Sequence, residues 1–445
     1  MPAPIDRCPA EVLIGFVEAS EHGDRRTLRT INKEWKSLAT SLAFESLVLK
    51  NTRKSVANML LLLRNRLAKW AKTLEYRLID RSPVASANAG LIQVGQQDQV
   101  AKTIYQIISE LGSLFPLLES FHVCLFAGPY NDPLHIPVSP DDVSNGVSKY
   151  VMHHFNILDA LSTIGETPPR HLKTLSLHNL LPCPEPSMME ENFKRLMEPL
   201  EDLTLSVHRA RSLDNQDYWE VFWQEYLPDY VLAPAQSLTS LSMTSDQPVG
   251  SVWPGIDFSV LHFPALRRLK LGGFCFDTSS HLEDFIIKHQ NTLTSLVLDS
   301  CPMHTGDDFQ NKTPRRKWSQ VFARFDEGLT ELTYVRVMCK DLPVWGLYLE
   351  DSPRTEMALT YEISTTGYGY IRGEPVAAAV EKDDDRALEK FYATVDARRR
   401  SKGLGPLASL ATARANEGDG LPRPDELPQL LEMIMSSLAA RSLHL

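Results

Sequence analysis

A short apolar pattern, apolar-x-x-apolar-x-apolar, recurs along most of this 445-residue chain. Copies begin at positions 44, 118, 172, 200, 238, 266, 293 and 329, with a weaker one at 71. Successive starts lie 28 residues apart from 172 to 200, 28 from 238 to 266 and 27 from 266 to 293, and other intervals are longer. A unit of this length cannot close a core by itself, so the units must stack on one another.

The pattern and its spacing resemble leucine-rich repeats, in which LxxLxL lies on a short strand and a helix or loop leads to the next strand. The intervals between copies carry apolar residues at helical spacing, in residues 99–111, 147–161, 219–226 and 318–325. We therefore expect an α/β fold in which residues 46–345 form an irregular leucine-rich-repeat solenoid with parallel strands and outer helices. Because the repeats are irregular, a flat α/β sandwich is the alternative.

A second signature precedes the first copy. It opens with Cys8-Pro9-Ala10-Glu11-Val12-Leu13, and Asn32-Lys33-Glu34-Trp35 follows, with Trp35 24 residues after Glu11. The apolar residues of this segment fall at helical spacing and include Val12, Phe16, Val17, Leu28 and Ile31. The segment resembles an F-box, the three-helix module by which substrate receptors of cullin-based ubiquitin ligases dock on the Skp-family adaptor. Cys8 and Arg25 depart from the family, which usually has apolar residues at both positions.

The resemblance implies that an apolar helical face in residues 1–45 binds the adaptor. The residues that match the family motif, and that we expect at this contact, are Pro9, Glu11, Val12, Leu13, Leu28, Ile31 and Trp35. The whole chain also resembles the F-box class of filamentous fungi, notably in Trp318-Ser319-Gln320-Val321-Phe322 before a repeat. The alternative is that these helices only cap the first end of the solenoid.

Within each LxxLxL copy, the residues between the leucines point away from the core and are open to a ligand. Most of them are small and polar, and one copy carries two cations. For a protein substrate we expect contacts from Ser176, Thr204, Ser242, Arg268 and Lys270. The serines of the neighbouring copies do not neutralise Arg268 and Lys270, so this spot suits an acidic or phosphorylated group. A solvated strand face without a partner is the alternative.

Composition excludes several classes of protein. The chain has 46 Lys and Arg against 56 Asp and Glu, a net charge of −10, so it lacks the cationic footprint of a nucleic-acid or anionic-membrane binder. The longest conspicuous apolar run, residues 59–63, is far shorter than the roughly 20 residues of a membrane span. Six scattered cysteines without a CxxC pair indicate reduced thiols, which predicts a cytoplasmic or nuclear protein.

Motifs of catalysis are missing from the sequence, which has no HExxH, GxSxG or P-loop. His153 and His154 are adjacent, so on a helix they point about 100° apart and do not chelate one ion. The acidic run Asp383–Asp385 is expected at the start of a helix, where acids complement the helix dipole. We therefore expect no catalytic residue, no metal and no cofactor.

The leucine pattern stops near residue 345. Two β-prone runs, 358–363 and 368–371, flank turn residues and predict a hairpin that covers the end of the solenoid. A helix with Leu388, Phe391, Tyr392 and Val395 on one stripe follows, so residues 346–400 are expected to form a C-terminal cap. Residues 401–445 have the composition of a linker or disordered tail with a short helix at 427–443.

These resemblances imply a non-catalytic substrate-receptor subunit of an SCF-type cullin–RING ubiquitin ligase. Its F-box-like module would bind the Skp-family adaptor, and its repeats would bind a protein substrate. A leucine-rich-repeat scaffold or regulator without a ligase role is the alternative. An enzyme of unrecognised type is the third hypothesis.

Overall fold

The structure is a computed structural model that describes residues 10–20, 22–78, 94–125, 149–208, 216–250, 254–304, 314–338, 359–365, 370–373, 376–405 and 407. It begins with three helices, α1 (Ala10–Ala19), α2 (His22–Leu28) and α3 (Lys33–Ala43). Helix α3 starts where the Asn32 side chain accepts the backbone N–H of Trp35 at 2.9 Å, which satisfies one donor of the first turn. Helices at these positions agree with the apolar spacing of the sequence.

The nine strands that carry the apolar repeats form one open, parallel sheet. Its order follows the chain, and every neighbouring pair is parallel. The strands are β1 (Ser46–Lys50), β2 (Thr73–Arg77), β3 (Ser120–Cys124), β4 (Thr174–Leu180), β5 (Asp202–Val207), β6 (Ser240–Val249), β7 (Arg268–Phe274), β8 (Ser295–Asp299) and β10 (Tyr334–Met338). The architecture is therefore α/β with sequential parallel strands, as the repeat pattern predicts.

The repeat leucines align across this sheet in two buried rows. One row runs from Leu47 on β1 to Val335 on β10 and includes Leu175, Leu203 and Leu296. The second row lies two residues further along each strand. All members of both rows are buried, at 6% exposure or less. Because side chains alternate across a strand, the residues between these rows lie on the opposite, polar face of the sheet.

Helical segments connect the strands and pack on the buried face. They are α4 (Arg53–Arg64), α5 (Val94–Ser109), α6 (Leu111–Leu114), α7 (Lys149–Ile164), α8 (Glu191–Met197), α9 (Gln216–Val221), a π-helix (Phe222–Leu232), α10 (Leu282–Lys288), α11 (Trp318–Gly328) and two short 3-10 turns (Ala68–Trp70 and Pro186–Met189). Each predicted helical stripe overlaps one or two of these segments. The π-helix contains Pro228, which has no backbone N–H to donate and so interrupts regular α-helical bonding.

Ser280 and Glu283 have the spacing of a capping box at the start of helix α10, but no capping box is formed. Helix α10 starts after His281, whose φ of 53° is left-handed, and no side chain caps it. Glu283 is instead buried and pairs with Arg316 and with Arg324, whose Nη1 lies 3.1 Å away. A buried carboxylate is stable only when it is paired. The two arginines pair with the Glu283 carboxylate more strongly than the backbone N–H groups of a helix terminus would.

The C-terminal part of the chain contains two antiparallel strands and a helix, and they are placed differently from the expected cap. Strands β11 (Tyr361–Thr365) and β12 (Tyr370–Gly373) are antiparallel, and β11 pairs with the short β9 (Met303–His304) to make a separate three-stranded sheet. The end of the large sheet is covered instead by helix α12 (Ala378–Ser401), where the Tyr392 hydroxyl accepts the N–H of Val337 on β10 at 2.8 Å. This bond occupies one of the N–H groups that an edge strand would otherwise present to another chain.

The acidic run Asp383–Asp385 lies in the second turn of α12, not at its start. Asp384 is 2% exposed and accepts hydrogen bonds from the N–H of Ser319 at 2.7 Å and from the hydroxyl of Tyr361. The same hydroxyl accepts the N–H of Trp318 at 2.9 Å. Asp384 therefore binds the first turn of α11, so the dipole explanation from the sequence is wrong for this residue. The predicted helix at 427–443 lies outside the described residues.

In the part of the chain that the structure describes, no helix combines the length and the apolar character that crossing a bilayer requires.

Candidate functional site

The three N-terminal helices have a core of their own. Leu13 and Val17 of α1 pack with Trp35 and Ala39 of α3, and all four side chains are 2% exposed or less. Leu28, Leu38 and Leu42 are half-buried against them. A cluster that closes within α1–α3 makes these helices a packing unit, which we call the helical unit (residues 10–43).

The predicted adaptor-contact residues divide between the interior and the surface of this unit. Trp35 and Leu13 are 1% and 2% exposed, so they stabilise the unit and present almost no surface to a partner. Leu28 is half-buried, whereas Ile31 is 56% exposed. Glu11 and Val12 lie on α1, and Pro9 lies outside the described residues. The sequence match therefore identifies mainly the residues that hold the helices together.

Two exposed apolar residues of the helical unit were not among those predicted. Ile14 is 37% exposed and Phe16 is 53% exposed. Phe16 meets the Trp35 ring edge-on, with 5.8 Å between ring centroids, so one side of its ring is covered by the core. The helical spacing of Phe16 from Val12 and Val17 predicts that Phe16 is buried. In this ten-residue helix, however, the buried stripe is formed by Leu13 and Val17 and is too narrow to include Phe16. Ile14, Phe16 and Ile31 form the exposed apolar set of this unit.

The predicted substrate-contact residues come together on the polar face of the sheet. Ser176 on β4, Thr204 on β5, Ser242 on β6 and Lys270 on β7 are direct register partners in one row. Arg268 lies in the adjacent row, in register with Ser240 and, beyond it, Asp202. The repeat register read from the sequence therefore aligns these residues correctly, although the positions span almost one hundred residues of chain.

The charge at this face differs from the expectation. The Asp202 carboxylate lies 3.4 Å from Nη2 of Arg268, across the strand that separates them, so Arg268 is partly neutralised. Sequence reasoning considered the serines next to Arg268 and overlooked Asp202 two strands away. Lys270 has no salt bridge with an acid among the described residues. Lys270 is thus an unneutralised cation of this face.

Ser176 also differs from the expectation of an exposed contact residue. It is 4% exposed, and its hydroxyl shares a 2.8 Å hydrogen bond with Nδ1 of His122 on β3. Burial lowers the pKa of His122. The pKa of the nearby His178 is also lowered, first by burial and then by the charge of His122. The imidazoles of His122 and His178 are therefore neutral near pH 7.

The adjacent histidines of α7 are largely buried. His153 Nε2 bonds the hydroxyl of the buried Tyr76, and His154 is 2% exposed. Burial lowers the pKa of His153 to about 4 and that of His154 to about 3, so both rings are neutral near pH 7. Within the described ranges, no group of three His, Cys, Asp or Glu side chains is arranged to hold a metal ion.

A scan against protein-family models and a search of curated proteins each found no match to this chain. What the chain does is therefore inferred from its own residues and geometry.

Proposed function

We propose that this chain is the substrate-receptor subunit of an SCF-type cullin–RING ubiquitin ligase. The helical unit would be its F-box and would bind the Skp-family adaptor, while the sheet with its outer helices would be an irregular leucine-rich-repeat solenoid that binds a protein substrate. The observation that carries the proposal is the pairing of these two parts. A helical unit with its own core and an exposed apolar set directly precedes a sequential parallel sheet with a mostly polar face.

The solenoid part of the proposal is supported by how the leucines stack. Each strand pairs in register with the preceding one, and each repeat leucine meets the equivalent residue of its neighbours. Stacking of this kind buries a continuous core that no single repeat could form alone. It also leaves mostly polar side chains in the exposed rows, with Val48 and Val297 as exceptions, and such a surface is suited to contacting another protein.

A receptor of this kind needs no chemistry of its own. By holding a substrate and the adaptor at once, it raises the effective concentration of substrate lysines at the catalytic module. Two buried carboxylates fit that role, because Glu283 is paired with two arginines and Asp384 binds a helix terminus and a hydroxyl.

The adaptor contact can be tested with purified proteins. We expect the chain to bind a Skp-family adaptor, and the double substitution Ile14→Asp/Ile31→Asp to weaken binding at least about tenfold, because apolar contacts at interface centres often contribute 2 kcal/mol or more. Val260→Asp is the matched control, since Val260 is an exposed apolar residue (68%) outside the helical unit. Affinity would be measured by isothermal titration calorimetry.

Equal binding by the wild type, the double variant and the control would contradict the assigned contact, and no binding by the wild type would contradict the function. Trp35→Ala is unsuitable for this test. Because Trp35 lies in the core of the helical unit, its truncation is expected to unfold the helices, and a loss of binding would not report on a contact.

A further inference from the structure

A cavity of about 550 Å³ lies where the helical unit meets the first strand of the sheet. Four basic side chains line it: Arg26 from α2, Lys50 from β1, Lys54 from α4 and Arg77 from β2. Three hydroxyl residues and one amide residue complete its polar lining, and Val48 is its apolar contribution. Four separate elements thus bring cations to one concave surface.

The charge of this cavity is one-sided. None of its lining residues is acidic, although the chain as a whole carries a net charge of −10. Lys50 and Lys54 form no salt bridge with any acid that the structure describes. Arg77 is held by Glu75, whose Oε2 lies 2.8 Å from Nη2, but Glu75 does not line the cavity. The two lysines therefore add positive charge to the cavity, and no described carboxylate pairs with them.

The turn between β1 and α4 holds hydroxyl groups ready to donate. The Ser55 hydroxyl oxygen accepts the N–H of Lys50 at 2.9 Å, and the Thr52 hydroxyl oxygen accepts the N–H of Ser55 at 3.3 Å. Because each oxygen is fixed as an acceptor, its own proton is left to donate to a ligand. Helix α4, of 12 residues, begins at this turn without an acid in its first turn, so its positive dipole end adds to the same field.

We propose that this cavity binds a phosphate-bearing group. A phosphate monoester carries close to two negative charges near neutral pH and offers three acceptor oxygens, which match several cations and hydroxyl donors better than a single carboxylate would. The lining contains no aromatic side chain, so it lacks the stacking platform that a nucleic-acid base uses. The cavity size is in the range of small-ligand sites.

The proposed ligand chemistry has two sources, a free polyphosphate or a phosphorylated residue of a protein. Isothermal titration calorimetry at low salt would compare three probes: inorganic tripolyphosphate, a peptide with two phosphoserines separated by glycine, and the same peptide without phosphate. We expect at least one phosphorylated probe to bind and the unphosphorylated peptide to show no heat. Binding of tripolyphosphate alone assigns a free anion, and equal or tighter binding of the phosphopeptide assigns a protein partner.

The site is tested by the double variant Lys50→Glu/Lys54→Glu, for which we expect at least about tenfold weaker binding. The matched control is Arg267→Glu/Lys382→Glu, which changes the net charge equally at two exposed positions outside the cavity. A thermal unfolding curve for each variant shows that it is folded, and Lys50→Gln/Lys54→Gln replaces the first variant if it is not.

No binding of either phosphorylated probe to the wild type would overturn the proposal. Equal losses in the cavity variant and the control would also overturn it, because the effect would then be one of net charge. The proposal is independent of adaptor binding, since none of Ile14, Phe16 and Ile31 lines the cavity.

Discussion

Single residues on the two faces of a strand have opposite roles in this protein. Leu203 on β5 is fully buried between Leu175 and Leu241, its register partners on the adjacent strands, whereas its neighbour Thr204 lies on the polar face. The first stabilises the stack, and the second is available for contacts. The sequence pattern predicts this division because side chains alternate along a strand.

Leu203→Ala is expected to lower the free energy of unfolding by roughly 2–5 kcal/mol, since it removes buried methyl groups and leaves a cavity. Thr204→Ala, one position away on the same strand, is expected to change it by no more than about 0.5 kcal/mol. Urea unfolding followed by circular dichroism measures both. Similar losses in the two variants would contradict the assigned faces.

The burial of His289 and the lowered pKa that results from it are not evident from the sequence. It is 2% exposed, its Nε2 accepts the N–H of Phe263 at 3.0 Å, and its Nδ1 donates to the carbonyl of Phe285 at 2.7 Å. Burial lowers its pKa to about 4. Both contacts require a neutral ring with the proton on Nδ1.

The folded-state pKa of His289 lies below the ordinary value of about 6.5, so folding is favoured by its neutral form. This stability is present above pH 6.5 and is lost as the pH falls toward 4, about 2 kcal/mol of it by pH 5. His289→Gln retains an acceptor but does not titrate. Its free energy of unfolding should therefore fall less between pH 7 and pH 5 than that of the wild type. Parallel pH profiles of the two proteins would contradict this account.

At the scale of elements, the C-terminal helix α12 depends on one buried carboxylate. Asp384 is bonded to α11 and to Tyr361, while its neighbour Asp383 is exposed and lies 3.5 Å from Arg386. The sequence predicts that a helix is present here, because its apolar stripe is clear. It does not reveal which of three consecutive aspartates is buried, since that depends on the contact with a helix about 65 residues earlier.

Asp384→Ala is expected to destabilise the protein by roughly 2–4 kcal/mol, because two buried donors lose their acceptor. The matched control, Asp383→Ala, removes an exposed ion pair and should cost at most about 0.5 kcal/mol. Both values come from chemical unfolding at pH 7. If the two variants were equally stable, the proposed connection between α11 and α12 through Asp384 would be wrong.

At the scale of the whole molecule, the features that follow from local periodicity are predicted best from the sequence. The contacts between residues that are far apart in the chain are predicted least. The LxxLxL spacing predicts the parallel strands and the register of β1 to β8, so Ser176, Thr204, Ser242 and Lys270 align as expected. The copy that begins at 329 is out of register, because Val335 and Val337, rather than Leu332 and Tyr334, pair with the leucines of β8. The pairing of Arg268 with Asp202 and the cover of β10 by α12 depend on residues far apart in sequence. The motif match near the N-terminus predicts the three helices. It also predicts that Trp35 contacts the adaptor, whereas Trp35 is buried in the core of the helical unit.

The proposed ligase role is tested most directly by affinity purification of the full chain, followed by mass spectrometry of the chains that accompany it. The account predicts a Skp-family adaptor together with a cullin in the wild-type sample, and the loss of both in Ile14→Asp/Ile31→Asp but not in Val260→Asp. An adaptor without a cullin would indicate a regulator outside the ligase. The absence of both chains from the wild-type sample would contradict the central claim.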